Sequence, residues 1–235
     1  MTSELIVKPA ADLAVVFVDR LIGLISRARA EDRSLGVALP GGSVADAFLP
    51  VLAGAAMDWD RIEWFWGDER AVPPDHPESN FRLAAQLFFR KANINPAKVH
   101  RMKGEADDLE TAASNYESAL MTTLGIPPRF DVVLLGVGPD GHVCSLFPDH
   151  PALDASSFVV AVTDAPKPPA RRLTLTLPAL ADAVVVIAAF GASKAFAIAD
   201  ALENRHSRLP VALAARGARH TIFLVDEQAA SAMHA

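Results

Sequence analysis

Five short apolar runs constrain this chain more than anything else in it. Ser34 to Leu39, Ile62 to Trp66, Val132 to Leu135, Ala183 to Ala189 and Thr221 to Val225 are hydrophobic almost throughout. Runs of that length with little alternation read as strands buried on both faces. Between them lie segments of helical periodicity. Leu13, Phe17, Leu21, Leu24 and Ala28 recur as one face of a helix from Pro9 to about Arg29. Further helices are expected from Val44 to about Ala56, with Pro50 predicting a kink or an early break. Others run from Asn80 to about Lys91, from Asp107 to about Leu124 and from Ser193 to about Leu202. Phe158 to Val162 and Leu173 to Leu177 are also strand-like, and the proline-rich stretch between them, Asp164 to Ala170, reads as a surface loop. Strands alternating with helices predict an α/β fold, a mostly parallel sheet with helices on both faces.

Composition enters as a set of exclusions. The 235 residues are 51% hydrophobic, enough for a real core, and are expected to form a single domain over 1–235. The net charge of −6, from 22 basic and 28 acidic residues, argues against a nucleic-acid surface. An anionic ligand would have to be met by individually placed cations. No run reaches the eighteen or so apolar residues of a membrane span, and Met1 to Pro9 lacks a signal-type apolar core. A single cysteine allows neither an intrachain disulfide nor a Cys-rich metal site. The histidines other than His142 show no metal-ligand spacing. A cytoplasmic protein without metal or cofactor, monomer or homodimer, with no nucleic-acid or membrane partner, is the expectation.

In a parallel sheet, ligands bind outside the carboxyl ends of the strands. Four expected strand ends carry small or charged residues: Gly41-Gly42-Ser43, Asp68-Glu69-Arg70, Asp140-Gly141-His142 and Gly191 to Lys194. The first is either an anion site made by backbone N–H groups at a helix N-terminus, or a tight turn with Ser43 as N-cap. Arg70 either grips an anion or pairs with Asp68 and Glu69. Asp68 could act as a base, though a weak one beside Arg70. Lys194, in the first turn of a helix, opposes the helix dipole, and a bound anion would explain it. Of Arg171 and Arg172, which open a strand, one is expected to be merely solvated.

His142 is the candidate base, with Asp140 to fix its tautomer. The alternative is a turn histidine, but the glycines around it and its place at a strand end favour catalysis. Cys144 reads as a small buried residue rather than a nucleophile. Trp59, Trp64 and Trp66 read as core or pocket wall.

Trp66-Gly67-Asp68-Glu69-Arg70-Ala71-Val72-Pro73, Asp75 to Phe81, Gly136 to Pro148 and Arg172 to Pro178 together resemble the 6-phosphogluconolactonase family. The resemblance runs from about Gly36 to Lys194. It implies the modified Rossmann-like fold shared with glucosamine-6-phosphate deaminases. It also implies hydrolysis of 6-phospho-D-glucono-1,5-lactone to 6-phosphogluconate, the second step of the oxidative pentose phosphate pathway. His142 would activate water, with Asp140 supporting it. Gly42, Ser43, Arg70, Arg172 and Lys194 would hold the phosphate and hydroxyl groups, and Asp68 and Asn80 would line the pocket. A backbone N–H of the glycine turn or a nearby arginine would stabilise the oxyanion.

Two departures stand out. Gly42-Ser43-Val44-Ala45 replaces the family's common Gly-Gly-Ser-Thr-Pro, which leaves more to Ser43 and the backbone amides. Val143-Cys144-Ser145 replaces the frequent Thr-Ala-Ser. A deaminase would typically carry Asp-Glu-Tyr in place of Asp68-Glu69-Arg70, and an extra carboxylate after the histidine. Ser145-Leu146-Phe147-Pro148 has none. A phosphosugar sensor that binds without turnover would have no use for the Asp140–His142 pair.

Overall fold

A computed structural model describes residues 2–234. The strands of the main sheet are β1 (Thr2–Val7), β2 (Leu35–Leu39), β3 (Ile62–Trp66), β5 (Val132–Gly136), β8 (Val184–Ala189) and β9 (His220–Val225). They lie in the order β1-β9-β8-β5-β2-β3, and every pairing is parallel. Strand β1 was not expected. It pairs with β9 from Thr2↔His220 to Val7↔Val225 and forms one edge of the sheet.

The apolar strands alternate strictly between two cores, which is why they read as continuous hydrophobic runs. Trp64, Trp66, Val37, Leu39, Val132 and Leu134 face one side, where they meet α1 (Ala10–Ala30), α2 (Gly42–Ala53) and α3 (Asn80–Ala84). Phe65, Ala38, Val133, Leu135, Val185 and Ile187 face the other, against α4 (Leu109–Leu124), α5 (Leu177–Leu180), α6 (Ala195–Glu203) and α7 (Pro210–Gly217). Trp64 and Trp66 are therefore core residues, 0% and 1% exposed.

Several local expectations shift. Helix α2 begins at Gly42 with Gly41 as its N-cap, so Ser43 lies inside the helix and caps nothing. It continues past Pro50 to Ala53 because Leu49 and Leu52 are fully buried. The expected helix from Asn80 to Lys91 is α only to Ala84; Ala85–Phe89 widens into a π-turn, with Arg90 N donating to Ala85 O. That wider turn lets the consecutive Phe88 and Phe89 both bury, edge-on to Trp64 and Trp66 respectively. Helix α4, expected from Asp107, begins at Leu109 because Asp108 caps it, accepting from the N–H groups of Glu110 and Thr111.

A second sheet lies outside the parallel one. Strands β4 (Asp68–Arg70), β7 (Arg172–Leu175) and β6 (Val159–Val162) form an antiparallel sheet in the order β4-β7-β6. It pairs Arg70 with Arg172 and Asp68 with Thr174. The residues Asp68 to Arg70, expected as a loop at a strand end, are thus a short strand joined to β3 through Gly67. The expected strand to Leu177 stops at Leu175, and α5 begins at Leu177.

Candidate active site

Strands β8, β5, β2 and β3 are consecutive neighbours and parallel, so their carboxyl ends open on one edge. Chain order reverses there: β2 is followed on one side by β3 and flanked on the other by β5, the switch point where open α/β sheets bind ligands. A cavity of about 210 Å³ occupies this edge. Gly42, Ser43, Asp68, Arg70, Asn80, His142, Arg172 and Lys194 all line it. Asp140 touches it only through His142.

The turn after β5 presents the acid and the imidazole. His142 Nδ1 lies 2.5 Å from Asp140 Oδ1. With Nδ1–H donating to the carboxylate, the lone pair of the neutral ring is left on Nε2. Gly138 is required here, because a β-carbon on it would overlap both His142 Nδ1 and Asp140 Oδ1. Gly141, at φ +80°, then reverses the chain in a conformation open to glycine. The Phe147 ring packs against the imidazole at 4.7 Å between centroids. Burial pushes the His142 pKa below its ordinary value, and Asp140 opposes that. Burial works to raise the Asp140 pKa, but His142 and Lys167 together hold it below the usual carboxylate range. Burial pushes the Cys144 thiol well up, which leaves it a poor nucleophile.

Three groups that line the cavity offer positive charge. The first N–H groups of α2 have no capping side chain. Arg70 donates from Nη1 to Glu78 O, but its Nε is buried and has no partner. Lys194 closes the short 3₁₀ turn Ala192–Lys194 ahead of α6. Burial, with Lys167 nearby, lowers its pKa. Gly191, which starts that turn at φ +83°, is anchored by the Asp226 carboxylate at 3.0 Å.

Asp68, Asn80 and Arg172 are tied into a buried polar network. Ser145 Oγ donates to Asp68 Oδ2 at 2.6 Å, and Ser145 N donates to Thr174 Oγ1 at 3.0 Å. Asn80 Nδ2 donates to the Asp68 carbonyl and carboxylate at 2.8 and 3.2 Å, and its side chain packs directly on Gly41. Arg172 lines the cavity and is also engaged within the protein. Its Nε donates to Pro169 O and its Nη2 to Lys167 O, both at 2.9 Å, while Nη1 faces Ser145 and Asp68.

Two site residues escape a reading of the sequence. Lys167, in the stretch expected as a surface loop, brings its ammonium to 3.2 Å from Asp140 Oδ1. Glu69, buried, accepts from the N–H groups of Arg70, Asn80 and Phe81 and from Ser79 Oγ. The only local signal for Lys167 is a lone lysine among three prolines. For Glu69 it is a carboxylate between two residues that already read as site residues.

Among the described residues no helix is long and apolar enough to cross a membrane. A sequence model of the family described as glucosamine-6-phosphate isomerases/6-phosphogluconolactonase matches residues 8–223. A 6-phosphogluconolactonase of Streptomyces coelicolor is 40% identical over 247 residues, covering 98% of this chain and 94% of that one. The structure of a 6-phosphogluconolactonase from Thermotoga maritima superposes with a TM-score of 0.84 at 28% identity, covering 96% and 99% of the two chains. A monomeric glucosamine-6-phosphate deaminase superposes with a TM-score of 0.80 at 21% identity, over 99% of this chain and 100% of that one. That likeness speaks to the fold alone.

Proposed function

The chain belongs to the glucosamine-6-phosphate isomerase/6-phosphogluconolactonase family, and we propose that His142 is the base with which it hydrolyses 6-phosphogluconolactone. The observation that carries this reading is the Asp140–His142 pair at the wall of a cavity that the start of α2, Arg70 and Lys194 also line.

His142 Nε2 takes a proton from a water as its oxygen adds to C1 of the lactone. The carbonyl π electrons move onto the carbonyl oxygen, giving a tetrahedral oxyanion. When that collapses, the bond from C1 to the ring oxygen breaks, and the proton on His142 passes to the departing oxygen. The product is the open carboxylic acid, which ionises. The lactone carbonyl is already reactive, so one positioned base supplies most of what is needed, about 10²–10⁴-fold. The α2 N-terminus, Arg70 and Lys194 hold the phosphate as local positive charge in a chain of net charge −6.

The deaminase reading fails at the residues after the histidine. Ser145 is committed to Asp68, and Leu146 and Phe147 are buried at 0% and 1% exposure, so no carboxylate reaches the cavity from this segment. The test compares hydrolysis of 6-phosphogluconolactone with release of ammonia from glucosamine 6-phosphate, spontaneous lactone opening being subtracted. Wild type should do the first only. His142→Asn should lose about 10²-fold or more of the turnover rate while still binding 6-phosphogluconate. Undiminished hydrolysis by that variant removes His142 from the mechanism.

A further inference from the structure

Asp140 is held from two sides. His142 Nδ1 is 2.5 Å from its Oδ1, and Lys167 Nζ is 3.2 Å from both Oδ1 and Oδ2. The same ammonium lies 3.3 Å from His142 Nδ1. Two of these three ionisable groups belong to the glycine turn. The third comes from the loop between β6 and β7.

That loop is anchored at the residue that carries the ammonium. The carbonyls of Lys167, Pro168 and Pro169 accept from Arg172 at 2.9, 3.4 and 2.9 Å. Arg172 is only 5% exposed and is backed by Ser145 and Asp68. The backbone that carries Lys167 is thus fixed, although 43% of its side chain is exposed.

The chemistry of the three groups assigns their roles. A lysine ammonium donates and cannot accept, and Nδ1–H of neutral His142 also donates. Both therefore turn their hydrogens to the carboxylate of Asp140. A carboxylate alone on Nδ1 orients an imidazole but also raises its affinity for a proton, and a protonated ring is no base. A cation on the same carboxylate keeps the orientation and opposes the protonation. We propose that Lys167 is a positioning residue of the catalytic base, holding the Asp140 carboxylate on His142 Nδ1 and offsetting its charge. The inference rests on the role of His142 given above.

The other charged groups facing His142 are few. Asp68 acts from β4 in the sense opposite to Lys167, while Lys194 feels the charges of Lys167 and Asp140. Arg172 lies across the Phe147 ring, 5.5 Å from its centroid.

The test is the titration of the His142 imidazole in the resting protein, followed by NMR, beside the acid limb of kcat/KM. Lys167→Met should raise the proton affinity of His142 by about threefold or more, moving its midpoint up by about half a pH unit, and the acid limb should follow. Lys167→Arg should restore both. Should Lys167→Met fail to fold, Lys167→Gln gives the same readout. A His142 midpoint that stays put or falls on removal of the cation overturns the inference. So does an effect confined to KM for phosphorylated over plain lactone, which would make Lys167 a phosphate grip. The NMR midpoint does not depend on turnover, so failure here is distinct from hydrolysis surviving in His142→Asn.

Discussion

At the scale of single residues, the site depends on how closely backbone and side chain can approach. Gly138 is the sharpest case, because the Asp140–His142 pair lies across the space its β-carbon would fill. Gly138→Ala should move the pair by a few tenths of an ångström to an ångström, and misplacement on that scale costs up to about 10²-fold in rate. The expected outcome is a fall in kcat of about tenfold or more, with affinity for 6-phosphogluconate retained, as measured by turnover and isothermal titration. An unchanged kcat would mean that the turn relaxes freely and that the pair is not held by close packing. The glycines and the Asp-x-His spacing of this turn are legible in the sequence, because one loop supplies all of them. The third partner, Lys167, is not, since 25 residues separate it from His142 and only the fold brings them together.

At the scale of elements, the short strand β4 does more than carry Arg70 to the cavity. Glu69 Oε1 accepts from the N–H groups of Arg70 and Asn80, and Oε2 accepts from Ser79 Oγ and Phe81 N. One carboxylate thereby joins β4 to the N-terminus of α3 and sets Asn80 against Gly41 and Asp68. Glu69→Gln would set an amide NH₂ against the N–H groups of Arg70 and Asn80 in one orientation, and against Phe81 N–H in the other, where Ser79 Oγ can turn to accept. Leaving buried donors unpaired costs about 1–3 kcal/mol. The urea midpoint should fall accordingly at constant m-value, and KM should rise as Asn80 and Arg70 lose their support. A midpoint within error of wild type would mean that water or loop movement satisfies those donors. Helical periodicity shows where α3 starts. It cannot show that a buried glutamate from another element organises that start.

At the scale of the whole molecule, the order of the strands decides what meets what. The neighbours β8, β5, β2 and β3 all deliver residues to the cavity, whereas β1 lies beyond β9, two strands from β5's nearest partner β8. Its job is to cover the edge of β9, with Leu5 and Val7 each left 40% exposed. A variant beginning at Pro9 should keep kcat within about twofold at room temperature. It should melt on the order of 5–10 °C lower and aggregate more readily, because β9 becomes an open edge. Thermal denaturation and turnover on the same preparation check both halves. Loss of kcat in a sample that is still folded would show that the edge strand supports the site.

The sequence by itself determines the α/β class, the two-faced burial of the strands and the residues at four strand ends. Hydrophobic period, glycine placement and helix caps are local properties, and they act within a few residues. It also carries the four motifs that mark the family. Tertiary structure alone decides three things: that Asp68 to Arg70 and Arg172 to Leu175 pair in a second, antiparallel sheet, that Arg172 holds the loop between β6 and β7, and that Lys167 joins Asp140 and His142. Each is a meeting of groups far apart in the chain, set by strand order and register. Those depend on the sum of the packing across both cores, which no short stretch of residues contains.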